Sequence, residues 1–121
     1  MDSTTAYALA GIVAVSLLSI FSTSIGGRRR RRLTEKMASR PKLIDVRTSR
    51  EFRADHLPGA INIPIQKLYM DPHKAGPKDK NIVLYCQSGG RARRAKRILK
   101  AYGYTDVVNG GGINKLKGFM N

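Results

Sequence analysis

One stretch constrains the fold of this chain more than any other: the apolar run NIVLYC, from Asn81 to Cys86, and the QSGG that follows it. A short apolar run bounded by polar residues is typical of a strand buried on both faces of a parallel sheet. Beyond the glycines, a helix is predicted that ends at Gly103 as its C-cap. Its apolar residues recur at helical spacing: Ala92, Ala95, Ile98, Leu99 and Tyr102.

Three more short strands are predicted around this unit. KLIDV (Lys42 to Val46) and AINIP (Ala60 to Pro64) precede it, and YTDVVN (Tyr104 to Asn109) follows it. Between the first two strands, Ser49 is the expected N-cap of a short helix over REFRA. With connections this short, the chain is expected to form a small parallel β-sheet flanked by helices, an α/β fold.

The remaining segments of this region are predicted as helical turns and loops. IQKLYM, after Pro64, is expected to form one or two helical turns, and residues 71–81 a turn-rich surface loop. The glycines at 110–112 are interpreted as a turn, and INKLKGFM after them as a terminal helix.

The first quarter of the chain differs from the rest. From Ala6 to Ile25, twenty residues carry no charge, and at about 1.5 Å rise per residue they span the hydrocarbon core of a bilayer. Five arginines, Arg28 to Arg32, follow closely. We therefore expect one transmembrane helix before the α/β domain. The expected division is an N-terminal anchor at 1–27, a basic juxtamembrane linker at 28–40 and the folded domain at 41–121.

A cleavable signal peptide is the alternative interpretation of the uncharged run, since STS and IGG supply small residues near its end. A secretory signal, however, carries its positive charge before the apolar run, whereas Asp2 is the only charged side chain ahead of this one. Under the positive-inside rule, Arg28 to Arg32 hold the downstream domain in the cytoplasm and leave the N-terminus outside. The expectation is an uncleaved single-pass anchor in that orientation.

The charge balance favours an anionic partner. The 121 residues include 23 Lys and Arg against 8 Asp and Glu, a net charge of +15. For Arg28 to Arg32, contact with anionic headgroups is the simplest account. The basic helix lacks the interleaved aromatic residues of nucleic-acid binders, so no nucleic-acid partner is expected. Most of its basic residues are interpreted as a solvated face: Arg93, Arg94, Lys96, Arg97 and Lys100.

Cys86 is the only cysteine, and it stands at the carboxyl end of a predicted strand, where parallel sheets bind ligands. Gly89 and Gly90 allow the loop after it to curl, so that backbone N–H groups and the N-terminus of the following helix form an anion cradle. The same positive field favours thiolate over thiol. Arg91, which opens the helix, is expected to add a positive fork for an oxyanion of the substrate.

A buried hydrophobe at a strand end is the alternative interpretation of Cys86. The order of strand, cysteine, glycine pair, arginine and helix favours the reactive role, because each part serves thiolate chemistry on an anion. A lone cysteine excludes an intrachain disulfide and a cysteine-rich zinc site, and His56 and His73 offer no metal-ligand spacing. We expect neither a metal nor an organic cofactor.

Two segments carry a family resemblance. Leu43 to Pro64, LIDVRTSREFRADHLPGAINIP, resembles the signature that opens a rhodanese domain, and Ile82 to Ile113 resembles its active-site half. The compact form and the ending VVNGGGINKLKG are most similar to single-domain thiosulfate sulfurtransferases of the phage-shock-protein-E type. The chain departs from the longer members in lacking an extra strand before LIDVR. It also has Leu116 near the place of a common aromatic residue.

The resemblance implies a rhodanese-like fold in which Cys86 accepts a sulfane sulfur and becomes a persulfide. It also implies a six-residue loop that starts at this cysteine, whereas rhodanese-like phosphatases and arsenate reductases carry one residue more. The substrate-binding residues of the loop are then Gln87, Ser88, Gly89, Gly90 and Arg91. Four further residues match family positions interpreted as scaffold, and the first two of them could also tune the cradle: Asp45, Arg47, Glu51 and His56.

The implied function is a membrane-anchored sulfurtransferase that moves sulfur from thiosulfate, or a similar small anionic donor, to a thiol or cyanide. With no second cysteine in the chain, the acceptor comes from outside it. A membrane-tethered persulfide relay or binding module that acts through a partner protein remains an alternative. A phosphatase or arsenate reductase is disfavoured by the loop length and the missing second thiol. The sequence indicates neither the physiological donor and acceptor nor the oligomeric state.

Overall fold

The computed structural model describes residues 25–120 of the chain. The predicted span at residues 6–25 lies outside them, apart from its last residue. No helix within the described residues is both long enough and apolar enough to cross a bilayer.

The chain divides into two compact units, Met1–Thr34 and Glu35–Asn121. Helix α1, described over residues 25–38, takes up most of the stretch 28–40 that we expected to be a linker. The arginine run therefore lies on a helix rather than in an irregular connection.

Four parallel strands form one sheet in the second unit, which confirms the predicted architecture. The strands lie in the spatial order β2-β1-β3-β4, with β3 between β1 and β4. Every residue of β3 is buried. Their bounds are Lys42–Asp45 for β1, Ile61–Asn62 for β2, Ile82–Cys86 for β3 and Val107–Gly112 for β4.

Short helices connect the strands, as the spacing predicted. A 3₁₀ turn, Pro72–Ala75, lies within the loop expected at residues 71–81. The α-helices of this unit are α2 (Ser49–Ala54), α3 (Ile65–Met70), α4 (Gly90–Ala101) and α5 (Ile113–Lys117).

Helix α2 is capped by Thr48, so the prediction of Ser49 as its N-cap was wrong by one residue. The Thr48 hydroxyl accepts the backbone N–H of Glu51 at 3.2 Å, and the Glu51 carboxylate accepts the backbone N–H of Thr48 at 3.2 Å. This reciprocal capping box satisfies two backbone donors that an uncapped helix leaves unpaired. It also fixes where the Glu51 carboxylate lies.

Strand β4 continues through the three glycines, which the sequence analysis had interpreted as a turn. A Cβ atom at Gly110 would lie 2.8 Å from Val83 Cγ1 and 3.1 Å from Leu116 Cδ2. The strand therefore needs glycine there because the core leaves no room for a side chain. Low intrinsic strand propensity is overridden by this tertiary contact.

The core lies between the sheet and α4, whose residues Ala92, Ala95 and Leu99 are fully buried. Tyr102, predicted to continue that stripe, is 49 % exposed because α4 ends at Ala101. Tyr104 is buried in its place. Its hydroxyl lies 2.6 Å from the carbonyl oxygen of Gly76 and 3.0 Å from that of Pro72. The phenol therefore links the loop at residues 71–81 to the core.

Candidate active site

Cys86 lies where the sequence predicted, at the carboxyl end of the central strand β3. Its side chain is only 1 % exposed, so the sulfur is recessed below the protein surface. The backbone N–H of Gly89 donates to the sulfur at 3.0 Å. Through this contact the loop folds back over the cysteine, and the sulfur receives one fixed positive dipole.

The loop from Cys86 to Arg91, called the cysteine loop below, depends on one left-handed residue. Gly89 has φ of 99°, a conformation that glycine adopts without steric cost, and it is the N-cap of α4 without a side-chain cap. Gln87 and Ser88 are exposed. Because Gly89 both contacts the sulfur and caps α4, this 12-residue helix begins beside the sulfur. Its dipole favours negative charge there.

Strand β4 supports the cysteine loop from one side. A Cβ atom at Gly112 would lie 2.6 Å from the carbonyl oxygen of Gln87, and one at Gly89 would lie 3.3 Å from Gly111 Cα. Asn109 adds a direct link, because its Nδ2 donates to the carbonyl oxygen of Gly89 at 3.2 Å. The glycines of β4 thus allow the backbone of this strand to contact the backbone of the cysteine loop.

Asn109 is a site residue that the sequence analysis missed. Its side chain also accepts the backbone N–H of Gly111 at 2.8 Å, which is an Asx-type turn. The sequence contains a signal for this turn, because the side chain of an asparagine before glycines commonly hydrogen-bonds to the backbone two residues on. Only the structure shows that this fold-back orients the amide towards the loop.

Asp45 and Arg47 form a buried ion pair that reaches the cysteine loop. Their side chains are 0 % and 4 % exposed, and Arg47 Nη2 donates to Asp45 Oδ2 at 2.8 Å. The hydrogen bond to Asp45 raises the pKa of Arg47 above its usual value. Arg47 Nη1 donates in turn to Gln87 Oε1 at 3.3 Å. The pair therefore acts on the loop through the side chain of Gln87, at the place where a tuning role was predicted.

Arg91, expected to face the substrate, is held by Glu51 in the structure. Arg91 Nη1 lies 2.6 Å from Glu51 Oε1, and Nη2 lies 2.9 Å from Oε2, a bidentate pair. The hydrogen bonds from Arg91 lower the pKa of Glu51 to about 2. Glu51, predicted as scaffold, thus sets the position of the positive charge at the end of the loop. Glu51 takes two of the five N–H donors of the guanidinium, so Arg91 keeps donors for an anion.

His56, for which a scaffold role was predicted, contacts Phe52. Its ring stacks on Phe52 with centroids 3.8 Å apart, and Nδ1 lies 2.8 Å from the Phe52 carbonyl oxygen. Within residues 25–120, no group of three His, Cys, Asp or Glu side chains is placed to hold a metal ion.

The family model described as "Rhodanese-like domain" matches residues 30–118. The thiosulfate sulfurtransferase PspE of Escherichia coli is 38 % identical over 74 residues, 60 % of this chain and 71 % of that protein. The human thiosulfate:glutathione sulfurtransferase is 32 % identical over 114 residues, 84 % of this chain and 89 % of that protein.

A solved structure with the same fold is a rhodanese with anions from E. coli. It is 36 % identical, superposes with a TM-score of 0.57, and the match covers 61 % of this chain and 88 % of that one. The match in three dimensions agrees with the match in sequence.

Substitution of Gly112 tests whether β4 supports the cysteine loop. In Gly112→Ala the added methyl meets the Gln87 carbonyl, so the loop must shift, and we expect the free energy of unfolding to fall by about 1–3 kcal/mol. Urea denaturation measures this, and the amide NMR shifts of residues 87–91 should change with it. The control is Gly27→Ala in α1, where a Cβ meets nothing within 4 Å. Equal stabilities for Gly112→Ala and the native chain would contradict the proposed contact.

The pair of Arg91 and Glu51 should stabilise the fold in a pH-dependent way. Because the folded-state pKa of Glu51 is about 2 and its ordinary value is 4.5, the stabilisation is complete above about pH 4.5 and disappears as the pH falls towards 2. Glu51→Gln keeps a side-chain oxygen for the capping box but loses the charge. We expect it to lower the free energy of unfolding at pH 7 by about 1 kcal/mol.

The measurement is urea denaturation of both proteins from pH 7 down to pH 2. The difference between them should shrink in the acid range. Asp79→Asn, which removes an exposed negative charge from the loop after the 3₁₀ turn, is the control for net charge. A difference between Glu51→Gln and the native chain that stays constant with pH would rule out the ion pair as its cause.

Proposed function

This chain belongs to the rhodanese-like domain family, and we propose that it is a membrane-anchored sulfurtransferase that works through a persulfide on Cys86. It takes a sulfane sulfur from thiosulfate or a similar anionic donor and passes it to a thiophilic acceptor. The observation that carries the proposal is the recessed sulfur of Cys86, which accepts the N–H of Gly89 inside a loop at a helix N-terminus.

The relatives support the reaction class. Both of the named relatives above are sulfurtransferases, and both use thiosulfate according to their names. The name of the human relative also includes glutathione, a thiol, which agrees with an external thiol as acceptor. For this chain, thiosulfate is the proposed donor and a thiol the proposed acceptor.

In the first half of the reaction, the Cys86 thiolate attacks the outer sulfur of thiosulfate. A bond forms between Sγ and that sulfur, the bond to the sulfite sulfur breaks, and the electron pair leaves with sulfite. The helix dipole and the backbone N–H groups of the cysteine loop stabilise the negative charge on donor, persulfide and sulfite in turn. Arg91 adds a full charge at the same end of the loop.

In the second half, an external thiolate or cyanide attacks the outer sulfur of the persulfide. The bond between that sulfur and Cys86 Sγ breaks, and its electron pair returns to Cys86 as thiolate. Oxidation states balance over the cycle, so no redox cofactor is needed. Gln87, Ser88, Gly89 and Gly90 supply the loop backbone that holds the persulfide.

Asp45 and Arg47 are proposed as positioning residues. Both side chains are buried, and they act on the loop through the hydrogen bond from Arg47 to Gln87. Because the ion pair is buried and hydrogen-bonded, it can keep Gln87 in place while the negative charge at the loop passes from donor to persulfide and sulfite.

We propose further that residues 6–25 anchor the protein in a membrane, with the N-terminus outside and the catalytic domain in the cytoplasm. The uncharged run supports the span, and the five arginines after it support the orientation. An uncleaved anchor would keep the sulfur carrier at the membrane surface.

Mass spectrometry of the full chain in detergent tests the persulfide. Incubation with thiosulfate should add about 32 Da, the mass of one sulfur atom, and cyanide should remove it and yield thiocyanate. Because Cys86 is the only cysteine, Cys86→Ser should show neither the adduct nor turnover. Arg93→Gln, which removes an exposed charge outside the loop, is the matched control and should retain both. A native chain without adduct and without thiocyanate would refute the sulfurtransferase proposal.

A C-terminal reporter that is active only outside the cytoplasm tests the topology. It should stay inactive on the native chain. Replacement of Arg28–Arg32 by glutamine should raise its activity, because the positive-inside signal is lost. The same change at Arg93, Arg94 and Arg97, far from the predicted span, should have no such effect. An active reporter on the native chain would overturn the proposed orientation.

A further inference from the structure

An open cleft of about 470 Å³ lies next to the cysteine loop. This volume falls in the range of small-molecule sites. Arg91 lines the cleft and also closes the loop. Val46, another lining residue, donates its backbone N–H to the carbonyl oxygen of Tyr85 at 3.0 Å, immediately before Cys86. A molecule in the cleft therefore lies beside the reactive end of the sheet.

One wall of the cleft is basic. Arg91, Arg94 and Arg97 recur every three residues along α4 and all line the cleft, and none of the lining residues in the described part of the chain is Asp or Glu. Glu51 engages Arg91. Among the described residues, Arg94 and Arg97 have no ion-pair partner, and both are exposed. The wall thus presents two guanidinium groups whose charge no carboxylate of residues 25–120 neutralises.

The opposite wall is apolar. Pro64 and Ile65 line it where α3 begins, and Tyr69 lines it one turn later, with 72 % of the residue exposed. On the α4 side, Ile98 lies next to Arg97. An exposed aromatic side chain beside unneutralised arginines matches a ligand that has both an apolar body and an anionic group.

We propose that this cleft is the acceptor site and selects a thiol that carries a carboxylate on an apolar body. The inference rests on the sulfurtransferase function proposed above and names the class of acceptor. Arg94 and Arg97 bind the carboxylate, Tyr69 and Ile65 pack on the apolar body, and the thiol end lies towards the cysteine loop.

The transfer step follows from this pose. The acceptor thiolate attacks the outer sulfur of the Cys86 persulfide, and a new sulfur–sulfur bond forms on the acceptor. The old bond to Cys86 Sγ breaks with its electron pair on Sγ, so the product is the acceptor's persulfide and the free Cys86 thiolate. The cleft arginines take no part in bond making; they position the acceptor and raise its local concentration.

Four acceptor thiols distinguish the contribution of the basic wall from that of the apolar wall. Mercaptohexanoate has both the chain and the carboxylate, mercaptohexanol only the chain, mercaptoacetate only the carboxylate, and mercaptoethanol neither. The native protein, as the full chain in detergent with thiosulfate as donor, should show the highest kcat/KM with mercaptohexanoate. The measured quantity is the ratio of kcat/KM for mercaptohexanoate to that for mercaptohexanol, which cancels changes common to both.

In the double variant Arg94→Gln, Arg97→Gln this ratio should fall about three- to tenfold, as expected for the loss of exposed charge contacts. Arg93→Gln, an exposed arginine of the same helix that does not line the cleft, is the matched control and should leave the ratio unchanged. An equal ratio in the double variant and in Arg93→Gln would overturn the proposal.

The apolar wall has its own test. Tyr69→Ser should lower kcat/KM for both six-carbon thiols, whereas Met70→Ser, its exposed neighbour outside the cleft, should not.

A binding measurement separates this inference from the sulfurtransferase proposal. The methylthioether of mercaptohexanoate cannot accept sulfur, yet it keeps the chain and the carboxylate. NMR titration should shift the amides of α3 and α4 in the native chain, and the double variant should bind several-fold more weakly. If no persulfide forms but this binding difference holds, the sulfurtransferase function fails, and only the binding of an apolar carboxylate by Arg94 and Arg97 stands. If the persulfide forms and the thioether binds both proteins equally, the cleft assignment fails alone.

Discussion

The buried ion pair of Asp45 and Arg47 is the constraint on which the site depends. Two charges removed from water destabilise a fold unless they are paired and hydrogen-bonded, and here every side-chain nitrogen and oxygen of the guanidinium and the carboxylate has a partner. Asp45 Oδ1 accepts the backbone N–H of Arg47 at 2.9 Å, and the guanidinium also reaches the carbonyl oxygen of Asp55 at 2.5 Å and Gln87 at 3.3 Å. One side chain thereby joins the end of β1, the end of α2 and the cysteine loop. Movement of the loop or of the end of α2 would cost Arg47 one of these bonds while its ion pair with Asp45 remains, so the buried pair is a fixed point to which the loop is tied through Gln87.

The positive charge beside the sulfur comes in two forms that act differently. The backbone contribution is fixed, because the Gly89 N–H donates to the sulfur and the dipole of α4 begins at the next residue. The Arg91 charge is mobile in principle, but its two bonds to Glu51 hold it at the edge of the loop. Because Glu51 is itself fixed by the capping box with Thr48, the start of α2 determines where this charge lies. The electric field at the cysteine loop thus depends on a helix that contributes no residue to the loop.

The sequence was sufficient for the parts of the structure that local patterns determine. The apolar run of β3 and the helical spacing after it predicted the parallel sheet and placed Cys86 at its carboxyl end. Three features escaped because they depend on distant contacts. Glu51 and Arg91 are forty residues apart in the chain. Glycines 110–112 lie in a strand that pairs with β3, where Gly110 and Gly112 leave room for Val83 and Gln87. Tyr104 replaces Tyr102 in the core because α4 ends one residue earlier than predicted. Thr48 and Ser49 are both good caps, and the capping box with Glu51 decides between them.

The recessed position of the sulfur limits which molecules can complete the reaction. A side chain that is 1 % exposed is reached only by a narrow group, so a bulky acceptor must present its thiol at the end of a slender arm. Under the proposed function, selection acts on the part of the acceptor that stays outside the loop, and the cleft between α3 and α4 is the proposed surface for it. At physiological ionic strength charges are screened over about 8 Å, so in this proposal Arg94 and Arg97 act on molecules already in the cleft rather than on distant ones. The proposed chemistry at the sulfur and the proposed recognition of the acceptor then use different residues, and Arg91, which lines the cleft and ends the loop, belongs to both.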